Sequence, residues 1–539
     1  MPETLRLCRI AGSGVEVNLE LSMATRHGLV TGATGTGKTV TLQALAQGFS
    51  DAGVPVLCCD VKGDLSGIAA LGGDKPKISA AFGKLGLAEP VWAASPATFW
   101  DVAGVQGHPL RATVCDLGPL LMARLLNLKD VQADTLRLLF RIADERDLPV
   151  LDLADLRAMV GWASENAAAF KAEYGLMSSS SLGAIQRSIL VLEDTGAGRF
   201  FGEPALEMED LIRIDAAGRG MVNVLAADGL MAEPELYATV LLHLLGELFE
   251  ELPEAGDLSK PKLILLLDEA HLLFDGSPKA LVEAVERTAR LVRSKGVGLW
   301  LVTQSPLDVP ESVLGQLGNR LHHALRAYTP KDRKAVDSIA NSLRPNPGLN
   351  AVAALTELGV GEALVSFLDA DGRPNPVERV RVIPPASRIG GLSTTERTRL
   401  MAASGMGARY DRPVDRESAH EMLRGRAGKP HGTTGSSGGQ REPTIEEIEA
   451  ELRGIPLAWA TEPEQAPKAA GQGSRQTSTS RSKASPPRKT ANSRSRAVQT
   501  GEAGSFAAEL ARVALSAAGR ELGRQAVRGL LGTRKRRRY

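Results

Sequence analysis

The chain has 539 residues, a formal net charge of +1 and only 4% aromatic residues. That length calls for about two to four structural units rather than one core. Near-neutral charge excludes attraction of the whole surface to nucleic acid, and the scarcity of rings excludes a surface built on stacked bases. The four cysteines, Cys8, Cys58, Cys59 and Cys115, have no Cys-x-x-Cys spacing. Cys58 and Cys59 fall inside an apolar strand and read as buried thiols rather than metal ligands. The N-terminus lacks the basic-then-apolar layout of a secretion signal, and no apolar run approaches the roughly 20 residues that span a bilayer. The expectation is a soluble, cytoplasmic protein without a membrane span.

In chain order, residues 1–26 form a short lead-in with two small strands, 5–10 and 15–19, around the turn Ala11-Gly12-Ser13-Gly14. Residues 27–116 read as the first part of a nucleotide-binding core. An apolar strand, 28–31, runs into Gly32-Ala33-Thr34-Gly35-Thr36-Gly37-Lys38-Thr39. This is the phosphate-loop pattern Gly-x-x-x-x-Gly-Lys-Ser/Thr, and helix formers from Val40 to residue 49 follow it. Strand, loop and helix in that order give the motif its meaning. Backbone N–H groups must wrap a polyphosphate closely, and Gly32, Gly35 and Gly37 leave them room and permit positive φ. The following helix aims its positive end at the phosphates. Lys38 is placed to reach the β- and γ-phosphates of ATP, and the Thr39 hydroxyl to ligate Mg2+.

Gly53 closes that helix. A second buried strand, 54–60, ends in Asp60-Val61-Lys62-Gly63-Asp64. Charged residues at the C-terminal edge of a parallel strand sit where such sheets bind ligands, but the same letters also suit ordinary loop polarity. Residues 65–116 are mixed, with short strands. Residues 117–213 read as a helical insertion, because leucines recur at helical spacing from Leu121 to Ile142, and 152–162 and 181–193 add amphipathic turns. Phe200 and Phe201, which end it, read as packing residues.

Residues 214–385 resume the core: a strand at 220–226, a helix at 233–252, and the aliphatic run 262–267, which suits a strand buried on both faces. That run ends in Asp268-Glu269-Ala270-His271. A helix at 278–295 carries Arg287, Arg290 and Arg293. A buried strand at 298–303 ends at Gln304. A further strand at 321–327 and a hairpin, 362–368 with 377–383 around Asp371-Gly372, complete this part. Residues 386–461 read as a helical and linker region. Residues 462–501 read as disordered, since a polar basic stretch cannot bury enough apolar area to offset ordering its backbone. Residues 502–539 read as an amphipathic helix with a basic tip, Arg534-Lys535-Arg536-Arg537-Arg538. That tip is either a solvated tail or a contact for nucleic acid or an acidic membrane. Ser436-Ser437-Gly438-Gly439-Gln440 mimics an ABC-type signature by chance, lying in low-complexity sequence without the leading leucine.

The pattern is α/β, with a mainly parallel sheet. Hydrolysing ATP needs a carboxylate for the Mg2+ shell, and Asp268, at the end of its aliphatic strand, is placed for that.

 The Asp268 carboxylate is expected to hold the ion through a bound water. Adjacent Glu269 is presented at the strand's edge to orient and polarise the attacking water. Gln304, ending a neighbouring strand, is placed to sense the γ-phosphate.

The phosphate loop, the Asp60-x-Lys62-Gly63-Asp64 turn, the run from Leu265 to Ala270, and Arg293 followed by residues 298–306 together resemble the HerA/FtsK superfamily of RecA-like P-loop ATPases. Bacterial HerA-helicase-like proteins of uncharacterised function are the most similar group, sharing the phosphate loop, the segment 200–204 and a similar terminal helix. The resemblance covers about residues 5–385. It implies a RecA-like fold, a hexameric ring, ATP hydrolysis between subunits and translocation of duplex DNA. It also implies an arginine supplied by the neighbouring subunit, with Arg293 at the matching position and Arg320 and Arg326 as rivals. Residues 1–26 are too short for the N-terminal β-barrel of HerA. No second phosphate loop appears, so Asp268–His271 is not the Asp-Glu-Ala-His box of tandem-domain helicases. Two outlets for the work remain open: a DNA translocase, or a switch that remodels protein partners through the helical insertion.

Overall fold

The computed structural model describes residues 4–427, except 11, 176, 257 and 275–278. The stretches read above as a disordered linker, a terminal helix and a basic tip lie outside the described residues, as does the signature-like Ser436–Gln440 segment. Twelve strands form one sheet: β1 Thr4–Ile10, β2 Glu16–Glu20, β3 Gly28–Thr31, β4 Val56–Asp60, β5 Ala97–Asp101, β6 His108–Pro109, β7 Val222–Ala226, β8 Leu263–Leu267, β9 Val297–Thr303, β10 Asn319–His323, β11 Glu362–Ser366 and β12 Glu378–Val382. Their order is β2-β1-β12-β11-β10-β3-β9-β8-β4-β7-β5-β6. From β10 to β6 every pairing is parallel. From β10 back to β2 every pairing is antiparallel. The α/β, mainly parallel expectation holds, and the lead-in strands β1 and β2 extend the same sheet.

Strand periodicity sorts the aliphatic residues onto two faces. Leu263, Leu265 and Leu267 of β8 join one core, with Leu299 and Leu301 of β9 and the helices Val114–Leu125, Pro234–Glu251 and Lys279–Val292. Ile264 and Leu266 face the other way, with Trp300 and Val302, onto the helix Lys38–Asp51 and Leu5 and Leu7 of β1. Both faces being covered is why β8 reads as an unbroken aliphatic run.

Between Val114 and Asp194 lie five helices: Val114–Leu125, Asp130–Glu145, Leu153–Glu165, Ala167–Tyr174 and Ser179–Asp194. Thr113 and Asp152 cap two of them by accepting the amides of Asp116 (3.2 Å) and Asp155 (3.0 Å). Phe200 and Phe201 are buried and pack edge to face, 5.3 Å between ring centres. Cys58 and Cys59 are buried and unbonded, and burial pushes the Cys59 thiol up to about 12. Residues 394–423 are not one helix. Helices Thr394–Ala403, Gly407–Tyr410 and Ala419–Ala427 are interrupted at Gly405, with φ at +74°, and again around Pro413. Among the described residues no helix is long and apolar enough to cross a membrane.

The antiparallel flank is locked by Glu362, the first residue of β11. Its carboxylate accepts from Arg379 (2.8 Å) and Arg381 (2.9 Å) of β12 and from the Gly359 amide (3.0 Å). Burial pushes this carboxyl up, but Arg379, the Gly359 amide and Arg381 together outweigh burial and bring it down to about 2. A depressed carboxyl stabilises the fold above its ordinary pKa, and the contribution fades as pH falls through the folded value. Glu362→Gln is therefore expected to lower unfolding stability at pH 7 by about 1–3 kcal/mol. The gap between variant and wild type should close as pH drops from about 4.5 towards 2, as followed by urea denaturation across a pH series.

Candidate nucleotide site

The phosphate loop leaves the C-terminal end of β3 and enters the helix Lys38–Asp51. Gly35 and Gly37 hold φ at +78° and +114°. A Cβ on Gly32 would lie 2.6 Å from the His323 Cβ, and one on Gly37 would lie 3.3 Å from the Gly361 amide nitrogen. The loop is thus pinned from the β10–β11 side, where side chains have no room. Ala33 donates its amide to Ala324 (2.9 Å), and Gly361 donates to the Thr36 carbonyl (3.0 Å). The Thr36 hydroxyl donates to the Ala33 carbonyl (2.8 Å). Lys38 Nζ donates to the carbonyls of Gly32 (2.5 Å) and Ala33 (3.2 Å), folded back along its own loop.

Beneath the loop stands a relay absent from the sequence reading. His323 Nδ1 lies 2.8 Å from the Glu362 carbonyl, which can only accept, so Nδ1 carries the proton. Nε2 is then an acceptor for the Thr41 hydroxyl at 2.8 Å. Burial drives His323 down to about 4, which keeps the ring neutral in this role. His322 turns to the other side of β10 and meets Thr31 at 2.8 Å.

The strand register brings the acidic pair to the same edge. Thr31 pairs with Thr303, and Leu267 with Leu301. Gln304 therefore follows β9 level with the start of the loop, exposed, while Asp268 follows β8 one strand further along. Asp268 is 8% exposed and Glu269 is 8% exposed. Burial, then the neighbouring Glu269 charge, push the Asp268 carboxyl up to about 6, and the Glu269 amide, Lys62 and Lys38 pull against that. Burial lowers the Lys38 pKa, opposed by Asp268 and Glu269. Tyr237 donates to the Asp268 carbonyl (2.7 Å), and the Glu269 amide donates to Asp268 Oδ1 (2.9 Å). Glu269 itself holds a left-handed backbone, φ 48° and ψ 46°. Its Oε2 is buried without a hydrogen-bond partner, the His271 Nδ1 lying 3.5 Å away.

The turn after β4, left open between ligand contact and loop polarity, lies at this edge. Asp60 Oδ1 and Oδ2 accept the amides of Asp64 and Leu65, each at 3.1 Å. Burial, then Asp64, push Asp60 up to about 6. Asp64 faces the Thr39 hydroxyl, and burial raises its carboxyl. The arginines are elsewhere. Arg293 lies at the strand-start edge, near buried His27. Arg320 is level with Leu29 in β10, and its guanidinium donates to the Leu314 carbonyl (3.0 Å) and the Ser342 hydroxyl (3.4 Å). Arg326 is exposed on the segment leaving β10. Thr34, Gly35, Val40 and Thr39 keep their places in the loop and first helical turn.

The donor set suits a magnesium-bound nucleotide. A loop with no room for a Cβ at Gly32, a lysine bonded to loop carbonyls, a threonine hydroxyl and a carboxylate oxygen without a donor meet at one sheet edge.

The chain is similar to several known proteins. The family model described as "Helicase HerA-like C-terminal" matches residues 9–538. The DNA double-strand break repair helicase HerA of Saccharolobus solfataricus is 23% identical over 382 residues, covering 67% of this chain and 65% of that protein. Its counterpart from Sulfurisphaera tokodaii is 24% identical over 373 residues, 67% of this chain and 66% of that protein. The match thus spans just under two thirds of those relatives' length. Among solved structures, the bacterial conjugative coupling protein TrwB superposes with a TM-score of 0.46 at 17% identity, covering 72% of this chain and 92% of that chain. Since the family match runs from near the first strand to the end of the sequence, this chain belongs to the helicase HerA-like C-terminal family.

Proposed function

We propose that this chain is a Mg2+-dependent ATPase motor that hydrolyses ATP to move along duplex DNA, working as a homo-oligomeric ring. The observation that carries the hydrolytic part is Glu269 Oε2, a buried carboxylate oxygen with no hydrogen-bond donor, at the same sheet edge as the phosphate loop. A merely structural glutamate at that depth would have its oxygens satisfied. The family match and the HerA relatives support the motor and DNA parts.

In this reading the amides of Gly32 to Val40 and the end of the following helix bind the phosphates. Lys38 exchanges its two loop carbonyls for the β- and γ-phosphates, a stronger, charge-assisted pairing. Thr39 and, through water, Asp268 would hold Mg2+, which when bound would neutralise charge developing on the phosphoryl oxygens. Glu269 accepts the proton of the attacking water, and its fixed αL backbone holds the carboxylate in place. Gln304 reports the γ-phosphate to β9. Arg293, with Arg320 as a rival, is assigned as the arginine offered to a neighbouring subunit's nucleotide. Either guanidinium suits a trans role, because a planar, permanently charged donor stabilises phosphoryl charge.

Lys38→Ala is expected to abolish ATP binding measured by calorimetry. Glu269→Gln should keep ATP bound while turnover falls about 10²–10⁴-fold; normal hydrolysis by that variant would remove Glu269 from its role. Duplex DNA should raise the ATPase rate at low salt, with the stimulation collapsing as salt increases. No response at low salt would favour the alternative, remodelling of protein partners. Asp268 gives a third measurement. Its raised carboxyl means that ionising it costs stability: the contribution of the protonated form is complete below about 3.8 and lost as pH rises through about 6. Nucleotide-free Asp268→Asn should therefore melt above wild type at pH 7.5, by about 1–3 kcal/mol, and match it near pH 4.

A further inference from the structure

The turn Asp60-Val61-Lys62-Gly63-Asp64 is built more firmly than an ordinary surface loop. Cys58 pairs with Leu266 across β4 and β8, so Asp60 leaves the sheet beside Asp268. Both Asp60 carboxylate oxygens are spent on the amides of Asp64 and Leu65. Gly63, at φ +74°, reverses the chain between them. Residue 391 closes on the turn from outside, since a Cβ on Gly391 would lie 2.7 Å from the Gly63 carbonyl oxygen. The Ser66 hydroxyl donates to that carbonyl (3.2 Å) and accepts the Leu392 amide (2.9 Å). On this fixed frame Asp64 faces Thr39, and Lys62 is exposed, with no hydrogen bond or ion pair among the described residues.

We propose that Lys62 is a second cationic phosphate-binding residue of the nucleotide site, closing on the γ-phosphate from the β4 side, opposite Lys38. This rests on the ATPase reading above and adds a residue that the phosphate-loop motif does not contain.

Three features converge on it. The lateral order is β3, β9, β8, β4, so Lys38 and Lys62 stand on opposite sides of the acidic pair that ends β8. The charge of Lys62 is felt at both Lys38 and Asp268, which places its ammonium group in the same local field. The edge also holds four carboxylates, Asp60, Asp64, Asp268 and Glu269, against Lys38 in the loop, and Lys62 brings a second cation to that field. A flexible lysine on a rigid turn supplies a point charge suited to a terminal phosphate that lies between the loop and β8. The terminal phosphate is what separates ATP from ADP, so Lys62 serves as a residue for telling one from the other.

The test is nucleotide affinity by calorimetry in the Glu269→Gln background, where ATP survives the measurement. Lys62→Gln should weaken ATP binding by at least about tenfold while changing ADP binding little. Lys62→Arg should restore most of the difference, and Lys77→Gln, a change at an exposed lysine away from the site, should do nothing. In the otherwise wild-type protein, Lys62→Gln should lower kcat/KM for ATP. Unchanged ATP affinity, or equal weakening of ATP and ADP, overturns the proposal while leaving the ATPase reading intact. If the Glu269→Gln protein and wild type both fail to bind ATP, the ATPase reading itself has failed. Circular dichroism and thermal melting of each variant separate lost binding from lost folding.

Discussion

Everything at the site turns on negative charge held out of water at one edge of the sheet. Asp60 and Asp268 leave neighbouring parallel strands side by side, and Glu269 follows directly. Burial first, and then a neighbouring carboxylate (Asp64 beside Asp60, Glu269 beside Asp268), push Asp60 and Asp268 both up to about 6. The nucleotide-free edge is therefore electrostatically uncomfortable by construction. In the proposed reading a bound cation would relieve it, so that a triphosphate arriving with its cation would be admitted where a bare anion would be repelled. The same burial that makes the pair costly also excludes the water that would weaken every charge-assisted contact made there.

That edge needs a rigid opposite wall, and the antiparallel flank provides one. Gly361, just before β11, holds the Thr36 carbonyl, while the next residue, Glu362, offers its carbonyl to His323 and its carboxylate to two arginines of β12. His323 in turn receives the Thr41 hydroxyl from the first turns of the loop's helix. Loop, helix, β10 and the β11–β12 hairpin are thus joined by consecutive hydrogen bonds through buried groups. With neutral His323 as the central link, the chain of donors runs in one direction only: imidazole N–H to carbonyl, hydroxyl to imidazole. The hairpin is part of the nucleotide site although no residue in it carries a recognisable motif.

Much of the fold was visible in the letters because each parallel strand is a short aliphatic block between turn formers. β3, β8 and β9 were placed within a residue or two, and the loop helix within two. Asp268 and Glu269 were legible because an acidic pair directly ends such a block. What escaped was long-range. Nothing local says that β1 closes onto β12, setting Ile10 opposite Val380. His322 and His323 look like strand filler until the pairing of β10 with β3 puts one beneath the loop. The Asp60–Asp64 turn was ambiguous for the same reason: its meaning is the closeness of Asp64 to Thr39, twenty-five positions away in sequence. Arg293 and Arg320 were singled out by resemblance alone, since a role across a subunit boundary leaves no spacing signal within one sequence.

The C-terminal segment ties these pieces to the helical layer. Gln43 and Gln47, buried on the loop's own helix, bond Ser387 and the Arg388 carbonyl. Arg388 then grips Glu396 through two bonds, and buried Arg397 lies over the Phe99 ring, 5.3 Å away, while donating to the Gln106 carbonyl. Farther on, His108 of β6 meets Ser404 and Asp411, Tyr410 gives its hydroxyl proton to Asp210, and Ser418 bonds Asp155 in the helix Leu153–Glu165. Glutamine, serine and histidine side chains would gain as much from water if they were exposed. Buried, each is worth keeping only while its partner stays in register, so the segment is specified by directional bonds rather than by apolar area. A strap of that kind touches the loop helix at one end and the helical layer at the other. A shift of either the helix or the Gly63–Ser66 turn would strand buried polar groups along the strap unless the whole segment moved with it. Nucleotide site and helical layer are therefore mechanically one unit.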